Sequence, residues 1–321
     1  MRRLSVLEAV ALAVAGTWSA PAGAQDSPRL NPLIALHEAG LPVLGLYAPS
    51  PGGGRGRGGS PPPLAKTPEE RAAETMGFAS SDFVFDGSME GGIARGLPRF
   101  TEFAGAMQAA GATAGTYPFV VKTAEIAADP ELAKREIARQ LDAGVSGIMF
   151  VGVESADEVR TGLDAMRFRS NGGTRPETVG SAPAYWGVSE AEYRTKADLW
   201  PLNPDGELIN WTIVESREGL EHVREIAAVP GIGVLWPGAG TLRRVFSSTN
   251  AAGERVYDAE AWEAAIQQVL AACKEFDVQC GYPANASDLE MRMEQGFNVF
   301  VMGWGESGFE TVEMGRKLSG R

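Results

Sequence analysis

From residue 42 to the C-terminus, eight short β-rich runs alternate with amphipathic helical stretches, and few folds accommodate that rhythm. The runs cover residues 42–47, 83–86, 117–122, 147–153, 210–215, 233–236, 278–282 and 298–304. Each intervening helix returns the chain to the same end of the sheet, so the strands must run parallel. An open doubly wound sheet is the competing arrangement. Eight near-even repeats with continuously apolar strands favour closure into a (β/α)8 TIM barrel, one α/β domain of the usual size for 321 residues. The helices carry their own punctuation. Asp129-Pro130 sets a capping acid before a first-turn proline, and Gly144 ends that helix. Ser155 with Glu158 forms a capping box. Asp258 precedes a helix over residues 259–276, and Asn285 with Asp288 opens one that ends near Gly296.

Two stretches break the rhythm. Residues 49–66 are dense in Gly, Pro and Arg and read as a flexible loop after the first strand. Residues 167–207, with Tyr185, Trp186, Tyr193 and Trp200, read as a long loop on the strand-end face, where such loops serve function or partners. Ahead of the barrel, Arg2 and Arg3, an apolar stretch over residues 6–18 and Ala22-Gly23-Ala24 read as a signal peptide of residues 1–24. The apolar stretch is too short to cross a bilayer and is interrupted by Glu8. Residues 25–321 are then a periplasmic or secreted domain with no later membrane span. Cys273 and Cys280 fall on a helix and the strand after it, and read as two buried thiols, with a bridge as the alternative.

A formal net charge of -12 repels phosphate backbones and anionic lipid, which argues against nucleic-acid partners and electrostatic membrane docking. Gly303 to Gly308 matches G-x-G-x-x-G. It has no following strand and no ribose-binding acid, so it reads as a tight turn rather than a dinucleotide site. His37 and His222 read as structural or exposed.

In a barrel, the C-terminal ends of the strands converge on one mouth. Asp86, Lys122, Glu154, Glu215, Thr241 and Trp304 lie at or just after the ends of strands two, three, four, five, six and eight. Such charges can simply mark where strands meet water. Gathered at one end, they suit metal-assisted enolate chemistry: carboxylates hold a hard cation, a 2-oxo acid chelates it, and a cationic side chain steadies the developing enolate. Glu215 and Glu154 are the candidate metal ligands, and Lys122 supplies the positive charge.

Val214-Glu215-Ser216-Arg217-Glu218-Gly219 with Glu225-Ile226-Ala227-Ala228-Val229-Pro230-Gly231, and Val153-Glu154-Ser155-Ala156-Asp157-Glu158, resemble the HpcH/HpaI aldolase/citrate lyase family from about Pro32 onward. The resemblance implies a TIM barrel, often hexameric, that uses Mg2+ or Mn2+ for lyase chemistry on 2-oxo or acyl-CoA substrates; a homo-hexamer or trimer is expected. It also implies that Glu215 is the first metal-binding glutamate, that Glu154 lies beside the metal, and that Asp86 orients a catalytic histidine. This chain departs from the pattern at three places. The histidine position is Met89, the substrate-clamping arginine is Lys122, and the second metal-binding acid is Thr241 in Gly238-Ala239-Gly240-Thr241. Methionine carries no proton, lysine lacks arginine's fork, and a neutral oxygen weakens cation binding. Glu90 is the substitute base, and Gly238, Ala239, Thr241 and Trp304 are the expected substrate-binding residues.

The expected activity is a metal-dependent carbon–carbon lyase acting on a small 2-oxo or hydroxy acid. The alternatives are a non-catalytic or differently reactive periplasmic barrel that binds a small molecule, and an assembly role.

Overall fold

A computed structural model describes residues 29–52, 64–251 and 253–321. The expected signal peptide and most of the loop expected over 49–66 lie outside the described residues. Eight strands close a parallel barrel: β1 (Val43–Tyr47), β2 (Val84–Asp86), β3 (Phe119–Lys122), β4 (Gly147–Phe150), β5 (Leu208–Val214), β6 (Val234–Pro237), β7 (Gln279–Pro283) and β8 (Val299–Met302). β1 pairs with both β2 and β8, and β4 hydrogen-bonds to β5 through Gly147↔Ile209 to Phe150↔Thr212, so the ring has no free edge. Among the described residues, no helix is long and apolar enough to cross a membrane.

Successive strand residues face opposite sides, and the two apolar clusters follow that rule. Val43, Phe83, Phe85, Val120, Met149, Trp211, Ile213, Trp236 and Val301 fill the barrel, while Leu44, Leu46, Val84 and Val121 pack outward against the helices. The interior is dominated by stacked rings. Trp211 lies 5.4 Å from Trp236 and nearly parallel to it, 6.0 Å from Phe85, and edge-on to Phe83. Glycine makes room for them: a Cβ on Gly45 would sit 2.2 Å from the Phe83 ring, and one on Gly281 would sit 1.8 Å from Trp236.

The capping signals hold. Asp129 accepts from the Leu132 amide and Asp258 from the Ala261 amide, at the starts of helices Pro130–Asp142 and Ala259–Phe276. Residues 167–207 correct the expectation of a strand-face loop. They connect the C-terminus of helix Ala156–Met166 to the start of β5, so they lie at the opposite end of the barrel. Tyr185 donates to the Tyr117 carbonyl and Trp186 to the Gly144 carbonyl, just before β3 and β4. The aromatic residues that suggested a binding loop instead seal the base. Helix Pro32–Glu38 closes the same end, with Leu33 in the interior cluster.

Cys273 and Cys280 form a disulfide, in place of the two free thiols expected. The bridge ties helix Ala259–Phe276 to β7 across a short loop. Replacing both cysteines by serine should lower stability by about 2–3 kcal/mol in urea unfolding, the loop-closure value for such a span. An unchanged midpoint would show that the bridge contributes nothing.

His37, stacked on Trp200 at the base, has no hydrogen-bond partner on either ring nitrogen, and burial pushes its pKa from 6.5 to about 4. Between those two values the unfolded chain binds a proton that the folded chain resists. Stability should therefore fall as pH drops through that window, by on the order of 3 kcal/mol. His37→Phe should flatten this part of the stability–pH curve. An equally steep decline in the variant would assign the effect to other groups.

Candidate active site

Above the aromatic floor, the next inward positions of five strands, Tyr47, Lys122, Glu215, Gly238 and Pro283, line a cavity of about 210 Å³. Alternation from Val120 brings Lys122 inward, from Ile213 brings Glu215, and from Val43 through Gly45 brings Tyr47. Gly87, Gly238 and Gly303 occupy the corresponding positions after β2, β6 and β8 and leave the space open.

Glu215 is held by backbone. Its Oε1 accepts from the Gly152 amide at 3.1 Å, and a Cβ on Gly238 would lie 2.4 Å from the Glu215 Cβ and 2.8 Å from Oε2. Gly152 has φ +60, a left-handed conformation that only glycine adopts without strain. Lys122 Nζ reaches Glu90 Oε2 at 3.0 Å, and Gln140 fixes the Lys122 carbonyl at 2.8 Å. The Lys122 stem and the Tyr47 ring both border Gly87. Burial pushes the Tyr47 phenol above its ordinary value; Lys122 pulls it down and Glu90 pushes it up. The result is a neutral hydroxyl at neutral pH, beside an amine and a carboxylate.

Residues 102–304 match the model of the HpcH/HpaI aldolase/citrate lyase family. This chain belongs to that family. A hydroxypyruvate/pyruvate aldolase from Paraburkholderia phytofirmans (strain DSM 17436 / LMG 22146 / PsJN) is 33% identical over 106 residues, which is 33% of this chain and 39% of that protein. The chain thus spans well under half the length of that curated relative. Among solved structures, an HpcH/HpaI aldolase/citrate lyase family protein from Burkholderia cenocepacia J2315 superposes with a TM-score of 0.60 at 21% identity, over 87% of this chain and 93% of that one. An HpcH/HpaI aldolase from Desulfitobacterium hafniense DCB-2 gives 0.60 at 18%, over 89% and 95%. Macrophomate synthase gives 0.59 at 19%, over 90% and 87%. These likenesses show the shared barrel.

Of the family positions read from the sequence, Lys122, Glu215, Gly238, Ala239 and Thr241 line the central cavity. Glu90 joins them through its ion pair with Lys122. Asp86, Glu154 and Trp304 do not. Phe85 points inward, so Asp86 points outward, where it is 6% exposed, accepts from the Ser88 amide at 2.7 Å and lies 3.9 Å from Arg71. Val301 points inward, so Gly303 does too, and Trp304 turns out to pack edge-on against Phe309. At β4, left-handed Gly152 breaks the alternation and sends Val153 into the outer core. Glu154 then leads into the next helix, its amide bonded to Glu158 and its carbonyl to His222 Nδ1. Met89 is fully buried in the outer core against Gln140 and Gly96, so the histidine position of the family has become packing.

The divalent cation implied by family membership does not fit this donor set. The expected pair, Glu215 and Glu154, is not brought together, and Thr241 Oγ1 faces the Arg244 guanidinium at 3.2 Å. Glu90, Glu125, Asp129 and Glu136 line a neighbouring cavity on the far side of Glu215. Among the described residues, however, no three acidic, histidine or cysteine side chains converge as metal ligands do. The sequence reading also missed Tyr47 and the Phe85 and Trp236 floor. The period of two, counted from Val43 to the last residue of β1, would have found Tyr47.

Gly152→Ala should cost about 1–2 kcal/mol in urea unfolding, from a left-handed backbone that disfavours L side chains and a Cβ placed 3.1 Å from Glu125. A variant as stable as the parent would mean that the turn holding Glu215 is not constrained as described.

Proposed function

We propose that this chain is an exported carbon–carbon lyase of the aldolase type, making or breaking the bond between the carbons α and β to the carbonyl of a short 2-oxo acid. The reading is carried by Tyr47, Lys122 and Glu215, three proton-active side chains facing one small cavity over an apolar aromatic floor. Family membership supports lyase chemistry, and the partial likeness to a hydroxypyruvate/pyruvate aldolase supports a short 2-oxo acid. The Cys273–Cys280 disulfide supports an oxidising compartment.

The chemistry follows from charge and placement. A 2-oxo acid carries a carboxylate beside a polarised carbonyl, and Lys122 supplies the cation that attracts both. In the cleavage direction, Glu215 accepts the proton of the hydroxyl on the carbon β to the carbonyl. The carbon–carbon bond then breaks and its electrons move toward the carbonyl beside Lys122. The Tyr47 phenol returns a proton to the carbon left behind, and the proton that Glu215 took passes through water to restore the phenol. The apolar walls strengthen each of these charge interactions relative to water.

Pyruvate in D2O should lose methyl protons in the presence of the wild-type protein, as followed by NMR. Tyr47→Phe should slow the exchange about 10²–10⁴-fold, the usual contribution of a positioned acid–base group, because exchange is the reverse of the carbon protonation assigned to Tyr47. Wild-type protein that binds pyruvate without exchanging its protons would overturn the lyase reading and leave a binding barrel.

A further inference from the structure

We infer that Lys122 is a covalent catalyst, forming an imine with the carbonyl of the 2-oxo acid, so that this barrel activates its substrate without a metal ion. The inference rests on the lyase reading and deepens it. Three observations meet here. The donor set of the mouth does not gather the acids a divalent cation requires. A primary amine, which can add to a ketone as a guanidinium cannot, stands on β3 in the same mouth. A carboxylate, Glu90 Oε2, lies 3.0 Å from that amine; the pair favours the ammonium, and Glu90 is the group within reach to relay its proton to water when substrate enters.

The amine is held for this role. Its side chain is 15% exposed, its stem crosses Gly87, and its backbone carbonyl is anchored by Gln140. Glu90 is the more exposed partner, so the proton it receives can pass to water.

The step balances as follows. Lys122 Nζ gives up one proton to Glu90 and adds its lone pair to the carbonyl carbon, and the carbonyl oxygen takes up a proton to become a carbinol. The nitrogen loses its second proton as the carbinol oxygen, protonated again, leaves as water, and the imine remains. Protonated, the imine nitrogen draws electrons from the breaking carbon–carbon bond as Glu215 takes the proton of the β-hydroxyl, which leaves an enamine and releases the aldehyde. Tyr47 protonates the enamine carbon and regains a proton from Glu215 through water, and water returns across the imine to release the 2-oxo acid and free Lys122. No oxidant or reductant is consumed.

The test is to mix full-length protein with pyruvate, reduce with borohydride, and locate the adduct by peptide mass spectrometry, while following pyruvate proton exchange with and without EDTA. The expected result is a reduced pyruvate adduct on Lys122 and exchange that persists in EDTA. Lys122→Arg keeps the charge; it should lose the adduct and slow exchange by at least about 10²-fold. Exchange without an adduct, exchange abolished by EDTA and restored by Mg2+, or undiminished exchange in Lys122→Arg would each overturn the imine and leave the lyase reading standing. An adduct without exchange would keep the imine and overturn the lyase reading; neither signal would overturn both.

Discussion

Closure of the sheet between β4 and β5 is the constraint from which the other features of this molecule follow. Once Gly147 to Phe150 pair with Ile209 to Thr212, every strand has two neighbours and its inward residues have only the barrel axis to face. The interior must then be filled at solid density. Four large rings, Phe83, Phe85, Trp211 and Trp236, fill it below the mouth, and Phe83 and Trp236 each need a facing position free of a side chain. Gly45 and Gly281 meet that need. The floor of the candidate active site is therefore set by packing, and the depth of the cavity follows from where the rings stop.

The same period of two selects which polar groups reach that cavity. Residues at the right parity past the rings, Tyr47, Lys122 and Glu215, enter it. Asp86 and Trp304, at the wrong parity by one, go to the helix layer instead. Backbone amides then do what side chains alone cannot. Gly152 turns left-handed, offers its N–H to Glu215, and diverts Glu154 into the start of a helix. A single glycine thus both fixes one carboxylate and removes another.

Much of this was legible in the amino-acid order. The eight strands fall within three residues of their expected limits, because continuously apolar β-rich runs between well-capped helices have few other readings. Reading the site by chain position alone placed Asp86, Glu154 and Trp304 in the mouth. Counting inward and outward residues from Phe85 and Val301 would have excluded Asp86 and Trp304, and a glycine inside an apolar strand run is itself a signal of a bend. The base of the barrel was less legible. Aromatic residues in a long connection look alike whether they bind a ligand or seal a core, and only the hydrogen bonds of Tyr185 and Trp186 to the strand starts separate the two. The disulfide was open for a similar reason: seven residues of separation permit a bridge only if the helix end and the strand happen to face each other.

The departures from the family pattern become one coherent change when charge is counted at the mouth. Two acids facing each other need a cation between them, since like charges a few ångströms apart repel by several kcal/mol at protein-surface dielectric. With threonine at position 241 and Glu154 diverted, Glu215 is the one carboxylate among the described residues lining the central cavity, and its acidic neighbours Glu90, Glu125, Asp129 and Glu136 line the adjacent one. Lys122 supplies a positive charge already attached to the chain, balanced by Glu90 at its outer edge. A tethered amine costs no binding equilibrium, and unlike a bound ion it can join the substrate covalently. Threonine at 241 leaves one acid fewer in the mouth, while lysine at 122 keeps the positive charge of the family's arginine and adds an amine that can react, so the mouth carries its cation in the chain itself.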